Sequence, residues 1–170
     1  MRAPHEAEIV ACIPSLRRYA RGLTPDRERA DDLVQDTLER AWGRFSMWQK
    51  RGAVRAWMFG IMHNLFVDRL RAQRSTPEDS AGDDLPEAAQ RATQSDRLEV
   101  VDLDRALQRL PPEQREVLLL VAVEELTYRE VATAIGVPIG TVMSRLSRAR
   151  ERLRAELEGG ALPSRMQRVK

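Results

Sequence analysis

The chain has a single cysteine, Cys12, and only two histidines among its 170 residues. One cysteine excludes an internal disulfide and points to a reducing compartment. With His5 and His63 as the sole imidazoles, no zinc finger can be assembled. Aromatic side chains make up just 5%, which suits small helical bundles. Long apolar runs are missing too: the longest, Val117 to Val123, is far too short to span a bilayer. The N-terminus has neither the apolar stretch nor the small-residue cleavage site of a signal peptide. A cytoplasmic protein without membrane insertion is expected. A glycine-rich phosphate loop, a metal-ligand set and a catalytic acid–base pair are all lacking, so the chain reads as a non-enzyme with no cofactor.

What the chain has in quantity is charge, 32% of residues, arranged in blocks that the net value of +2 conceals. Residues 1–74 hold 14 Lys/Arg against 9 Asp/Glu, residues 75–104 hold 2 against 9, and residues 105–170 hold 12 against 8. The blocks therefore carry +5, −7 and +4. Two basic stretches flanking an acidic one suit contact with phosphate backbones at both ends of the chain.

Apolar periodicity predicts a first helix over residues 5–21, stopped by Gly22, with Thr24-Pro25 capping the next. In the second helix Ala30, Val34, Leu38, Ala41 and Trp42 share one face, while Asp32, Gln35, Asp36 and Glu39 occupy the other. Residues 45–52 read as a loop. A third helix buries Val54, Trp57, Met58, Ile61 and Leu65, with Phe66 at the edge of the stripe, and ends in Arg69, Arg71 and Arg74. Residues 75–95 carry almost no large apolar side chains and cannot order themselves by burial, which marks a linker. The helical pattern resumes near Asp96. Pro111-Pro112 opens a helix from Glu113 to Glu124 that is apolar on most sides. A β-strand would also fit that run, but the flanking Pro-Pro-Glu-Gln and the lack of a partner strand argue for helix.

The sharpest pattern lies between Leu126 and Arg150. Thr127 and Glu130 make a capping box, Val131, Ala132 and Ile135 give an inner face, Gly136 suits a tight turn, and Pro138 suits the opening of the next helix. On that last helix Val142, Leu146, Ala149 and Leu153 face inward. Thr141, Ser144, Ser147, Arg148 and Glu151 face outward, flanked by Arg145 and Arg152. Small hydroxyls and arginines on the free face of a helix-turn-helix fit the DNA major groove. A solvated face on a bundle helix would look similar, but cap, turn and outward face agree on DNA. Arg145 and Arg148 suit guanine edges or phosphates alike. Upstream, Trp48, Lys50, Arg51, Arg55, Trp57, Phe59, His63, Asn64 and Arg69 interleave basic and aromatic groups in a way that can grip single-stranded DNA. Trp48, in the loop, is a stacking candidate or a packing anchor, and Asn64 can read a base edge or bridge backbone. The acidic stripe of the second helix would repel DNA. Alone it reads as a solvated face; if it binds anything, the partner is a basic protein surface.

Taken together, these residues resemble the extracytoplasmic-function (ECF) group of bacterial sigma factors. The likeness rests on three stretches. Asp31 to Trp42 looks like the family's core-polymerase-binding helix, Ala56 to Arg71 like its promoter-melting helix, and Leu110 to Arg150 like its C-terminal helix-turn-helix. The resemblance implies an all-α fold of two small helical domains on a flexible acidic linker: residues 1–74, a linker at 75–95, residues 96–160 and a tail at 161–170. It implies that Asp32, Gln35, Asp36 and Glu39 dock on the clamp helices of core RNA polymerase. It implies minus-ten recognition and melting by Trp48, Lys50, Arg51, Arg55, His63 and Asn64, with Asn64 matching a base-contacting asparagine. It implies minus-thirty-five contacts at Thr141, Ser144, Arg145 and Arg148. The expected partners are core RNA polymerase, promoter DNA and an anti-sigma factor, and the free chain is expected to be a monomer. Two departures stand out. The loop 46–52 is more basic than usual for the family, so promoter preference is expected to differ. Gly60 replaces a larger, often basic residue. Within a helix, glycine costs ~1 kcal/mol against alanine, which suggests close packing at that point. The competing readings are a stand-alone helix-turn-helix repressor or response-regulator output domain, which would ignore polymerase, and a nucleic-acid enzyme, for which no catalytic residues are present.

Overall fold

Local chemistry sets each helix boundary. The structure, a computed structural model, describes residues 4–48, 53–75 and 94–160. Among these residues it is all-α: α1 Pro4–Leu23, α2 Arg27–Arg44, α3 Val54–Ser75, α4 Gln94–Gln108, α5 Pro112–Leu118, α6 Tyr128–Ile135 and α7 Ile139–Gly160. A 3-10 turn at Phe45–Met47 follows α2, and a π-helical turn at Leu119–Val123 extends α5. The tail 161–170 and most of the expected linker lie outside the described residues.

The first helix continues past Gly22 to Leu23, so that glycine does not stop it. Its role is proximity: a Cβ there would lie 2.7 Å from Leu119 Cδ1. The cap of α2 is Asp26 rather than Thr24, because its carboxylate reaches the free N–H groups of Glu28 and Arg29 at 2.9 and 3.1 Å. Ala30, Val34 and Ala41 are buried as their spacing predicts, and Leu38 is half-buried. Trp42, by contrast, is 50% exposed. Leu33 and Thr37 close the stripe on the other side, with the Thr37 hydroxyl donating to the Leu33 carbonyl at 2.7 Å.

On α3, Val54, Met58, Ile61, Leu65 and Phe66 are buried, and so are Phe59 and Met62. Trp57 is only half-buried. The burial is wider than one stripe because α3 packs on α1 and α2 at one side and on α6 at another. Pro112 occupies the first turn of α5, where its missing N–H costs nothing. The apolar run is helical, with Val117, Leu118, Leu119 and Leu120 all buried.

The capping box closes as expected. Glu130 N–H donates to the Thr127 hydroxyl at 3.2 Å, and Thr127 N–H donates to the Glu130 carboxylate at 2.8 Å. Gly136 ends α6 at φ +69°, a left-handed position that glycine adopts without a Cβ penalty. Pro138 lies just outside α7, and its carbonyl accepts from the N–H groups of Thr141 and Val142. Val142, Leu146 and Ala149 are buried and Leu153 half-buried, so the inner face of α7 falls where the wheel puts it.

Helices α1–α3 form one unit and α4–α7 a second. The two share a continuous core that joins Leu16, Tyr19, Met58 and Phe59 to Val117, Leu120, Val131 and Ile135.

Candidate polymerase and promoter interfaces

The acidic face of α2 stands in solvent. Asp32, Gln35, Asp36 and Glu39 are all exposed, because the opposite face carries the core contacts. They are not equally free. Gln35 donates to Glu39 at 3.3 Å, and Asp36 accepts from Arg69 of α3 at 2.5 Å. Arg69 also donates to the Arg29 carbonyl at 3.2 Å, so the pair ties α3 to the start of α2. Asp32 takes no part in these ties, so it is the member of the set best placed to meet a basic partner.

The residues expected at single-stranded DNA fall into four groups. Lys50 and Arg51 lie outside the described residues. Trp48 is half-buried and stacks on Trp57, with centroids 5.6 Å apart and planes at 30°. Phe45 completes the cluster at 5.6 Å from Trp48 and 6.1 Å from Trp57. Trp48 is thus a packing anchor that fixes the exit from α2, and its remaining exposed surface is what is left for stacking. Asn64 points to solvent.

Arg55 and His63 are drawn into the second unit. Arg55 donates to Glu124 Oε2 at 2.7 Å, and its guanidinium lies 5.4 Å above the Phe59 ring. Arg18 grips the same carboxylate with two bonds of 2.9 Å, one to each oxygen. Glu124 is fully buried, so the two arginines supply the charge that makes its burial tolerable. His63 Nδ1 lies 2.6 Å from Glu116 Oε1, which also accepts the Tyr19 hydroxyl at 2.9 Å. Burial, reinforced by the adjacent Glu116 carboxylate, pushes the Tyr19 phenol well above its ordinary value.

A second buried charge stitches the units elsewhere. The Arg115 guanidinium donates to the Leu23 carbonyl at 2.6 Å, Gln108 Oε1 at 2.9 Å, the Gln108 carbonyl at 3.2 Å and the Leu110 carbonyl at 3.0 Å. It thereby serves the C-terminal carbonyls of α1 and α4 at once. Burial lowers its pKa, partly offset by Asp104.

Sequence reasoning did not single out Glu116, Glu124, Arg18, Tyr19 or Arg115. A signal existed: Glu116 and Glu124 bracket the most apolar run in the chain. Carboxylates on either side of a run this apolar need cationic or hydroxyl partners where the run is buried.

The outward face of α7 is clear of these contacts. Ser144 and Arg148 are exposed, and Thr141 and Arg145 half-buried. Ser144 and Arg148 look away from Val142, Leu146 and Ala149, with Thr141 and Arg145 at the flanks. The Ser144 hydroxyl bonds back to the Thr141 carbonyl at 3.1 Å. The capping box and Gly136 fix the angle between α6 and α7, and so the direction in which this face looks.

Comparison with known proteins agrees with both halves. Residues 9–63 match the model for the Sigma2 domain of PhyR, and residues 101–153 match sigma-70, region 4. The ECF RNA polymerase sigma factor EcfG of Rhodopseudomonas palustris (strain TIE-1) is 39% identical over 150 residues, covering 88% of this chain and 83% of that protein. The ECF sigma factor SigC of Mycobacterium tuberculosis is 33% identical over 156 residues, covering 90% and 83%. Among solved structures, the sigma factor RpoE in complex with the anti-sigma factor NepR, from Bartonella quintana, superposes with a TM-score of 0.77 at 34% identity, covering 91% of this chain and 96% of that one. CnrH in complex with the cytosolic domain of CnrY gives 0.63 at 28% identity, covering 85% and 80%. With a region-2 fold, a region-4 helix-turn-helix and relatives of this identity along nearly its whole length, the chain belongs to the ECF RNA polymerase sigma factors.

Proposed function

We propose the following division of labour within this sigma factor. Residues 1–74 dock on core RNA polymerase and engage the minus-ten element, 96–160 read the minus-thirty-five element, and 75–95 tether the two. Asp32, Gln35 and Glu39 present the polymerase-binding charge, with Asp36 braced by Arg69. Arg55, His63 and Asn64 of α3, with Trp48, Lys50 and Arg51 of the preceding loop, engage the melted strand. Thr141, Ser144, Arg145 and Arg148 meet duplex DNA. The protein works in the cytoplasm and catalyses nothing itself; it selects where polymerase starts.

The observation that carries this reading is the segregation of charge by face. Acidic side chains line the exposed side of α2, whereas arginine and hydroxyls line the exposed side of α7. One surface suits a basic protein and the other a polyanion. Two weak DNA contacts become strong once polymerase holds both, because the second is made at high effective concentration.

Control by an anti-sigma factor fits the same architecture. The similar RpoE was solved with such a partner, NepR. Two helical units joined by a tether offer an inhibitor surfaces on both.

The test is to mix the full chain with bacterial core RNA polymerase and a randomised duplex promoter library. Co-elution with polymerase and transcripts that start downstream of a shared two-part sequence are expected. Failure to bind core polymerase would overturn the reading, however tightly the chain held DNA.

A further inference from the structure

We propose that the cavity walled by α1, α2, α3 and α5 binds a small amphipathic monoanion, a carboxylate carried on a short apolar chain or ring. The cavity uses none of the residues assigned above to polymerase or DNA, so the inference stands apart from that division of labour and goes beyond it.

Three observations carry it. First, the cavity has a volume of about 190 Å³, and Leu33, Phe66, Leu70 and Pro112 give it apolar walls. An apolar cavity of about 150 Å³ is enough for a benzene ring, so this one takes roughly eight heavy atoms by proportion. Apolar walls with a few placed polar groups are the usual form of a small-ligand site.

Second, the polar groups are of one sign. Arg29, Arg69 and Arg115 share the lining, and among the described residues no carboxylate does. Outside the cavity, Asp26 lies 3.4 Å from Arg29, and Asp36 lies 2.5 Å from Arg69. Those two acids offset two of the three positive charges and leave one, so a monoanion balances the site. A guanidinium carries five N–H donors, so Arg29 and Arg69 can each serve a further acceptor, and their planar forks match a carboxylate.

Third, the remaining charge is buried and short of a partner. Arg115 is 7% exposed, yet its four hydrogen bonds among the described residues all go to neutral oxygens, three backbone carbonyls and the Gln108 side-chain amide. The helix ends compensate part of the charge, and Asp104 acts on it through space. Its Nε–H finds no acceptor among the described residues. A buried unpaired donor is unfavourable and calls for a bound molecule or a functional cause. A carboxylate against this wall supplies the missing opposite charge, while its apolar tail lies against Phe66 and Leu70.

The test titrates the full chain with sodium hexanoate at constant ionic strength. Two controls run beside it: 1-hexanol, which keeps the tail, and acetate, which keeps the charge. Methyl NMR shifts of Leu33 and Leu70 locate the binding. Thermal unfolding reads it independently, because a ligand of the native state raises the midpoint. Hexanoate is expected to saturate, with shifts concentrated at those leucines. Its dissociation constant should lie about 10-fold or more below that of either control, since one lacks a charge-assisted hydrogen bond and the other lacks the buried methylenes. Leu70→Phe narrows the cavity, and Arg29→Gln removes one of its charges. Leu70 is half-buried and Arg29 exposed, so both variants should keep the fold, which circular dichroism checks. Each should weaken hexanoate several-fold. Hexanol binding as tightly as hexanoate would overturn the preference for an anion. Acetate binding as tightly would reduce the effect to a surface counter-ion and overturn the apolar part. Binding unchanged in both variants would overturn the location, and no saturable binding at all would remove the site.

Discussion

Tyr19 shows how much one side chain can report. It is fully buried, meets Phe59 edge-on at 5.1 Å and donates its proton to Glu116. Its pKa is raised well above the ordinary value of 10.0. A group whose folded pKa is raised lends its full stability below the unfolded value and loses it as pH climbs toward the folded one. Stability should therefore fall above about pH 10, with this single proton contributing up to ~1.4 kcal/mol per pH unit. Urea melts of wild type and Tyr19→Phe between pH 8 and 11 measure it; the variant should show a shallower alkaline loss. Cys12 offers a second probe. Burial pushes its thiol up, partly offset by Arg55. A disulfide reagent should label it slowly in the native chain and rapidly in denaturant, and slow native labelling would hold only while α1 keeps its packing. Neither environment was legible in sequence, since the acid that Tyr19 meets lies 97 positions away in the chain.

Elements were more legible, because their determinants are local. The Thr127–Glu130 box, Gly136 and the inner face of α7 follow from residue types within a few positions, and each forms as expected. Thr127→Ala should cost ~0.5–2 kcal/mol of stability in urea melts by leaving donors at the start of α6 unpaired. The two misread boundaries have one distant and one local reason. Gly22 looked like a stop, yet it answers to Leu119, a residue far along the chain. Thr24 is not the cap because α2 begins at Arg27, so Asp26 holds the cap position and reaches two free N–H groups. Arg115 belongs to this scale because it joins two helix ends. Arg115→Lys keeps a positive charge but loses the planar fork that serves Leu23, Gln108 and Leu110 together. A drop in unfolding free energy of ~2–4 kcal/mol is expected, on the scale of lost charge-assisted bonds. A melt unchanged by this substitution would mean the carbonyls find water instead.

At the scale of the molecule, charge is partitioned twice: between faces exposed to partners and across a contact that the chain makes with itself. Asp36 is already held by Arg69, so reversing its charge would disturb the fold as well as docking. Asp32 is the cleaner probe. Asp32→Arg should abolish co-elution with core polymerase while leaving thermal unfolding near wild type. Arg148→Ala should do the opposite, weakening minus-thirty-five duplex binding roughly 5- to 150-fold if the guanidinium makes a paired base contact. Polymerase docking should survive, as gel filtration of the mixture would show.

Family, helical class, the two-unit plan and the buried side of α7 were open to reading from the chain, because helical periodicity, capping and turn residues act over a few positions. The pairing of Arg55 with Glu124, of His63 with Glu116, and the close approach of Gly60 to Ala134 were decided only in three dimensions. Partners 69, 53 and 74 positions apart in the chain leave no periodic trace. A cation drawn to DNA and a cation drawn to a buried carboxylate also look the same until the fold shows which one it meets.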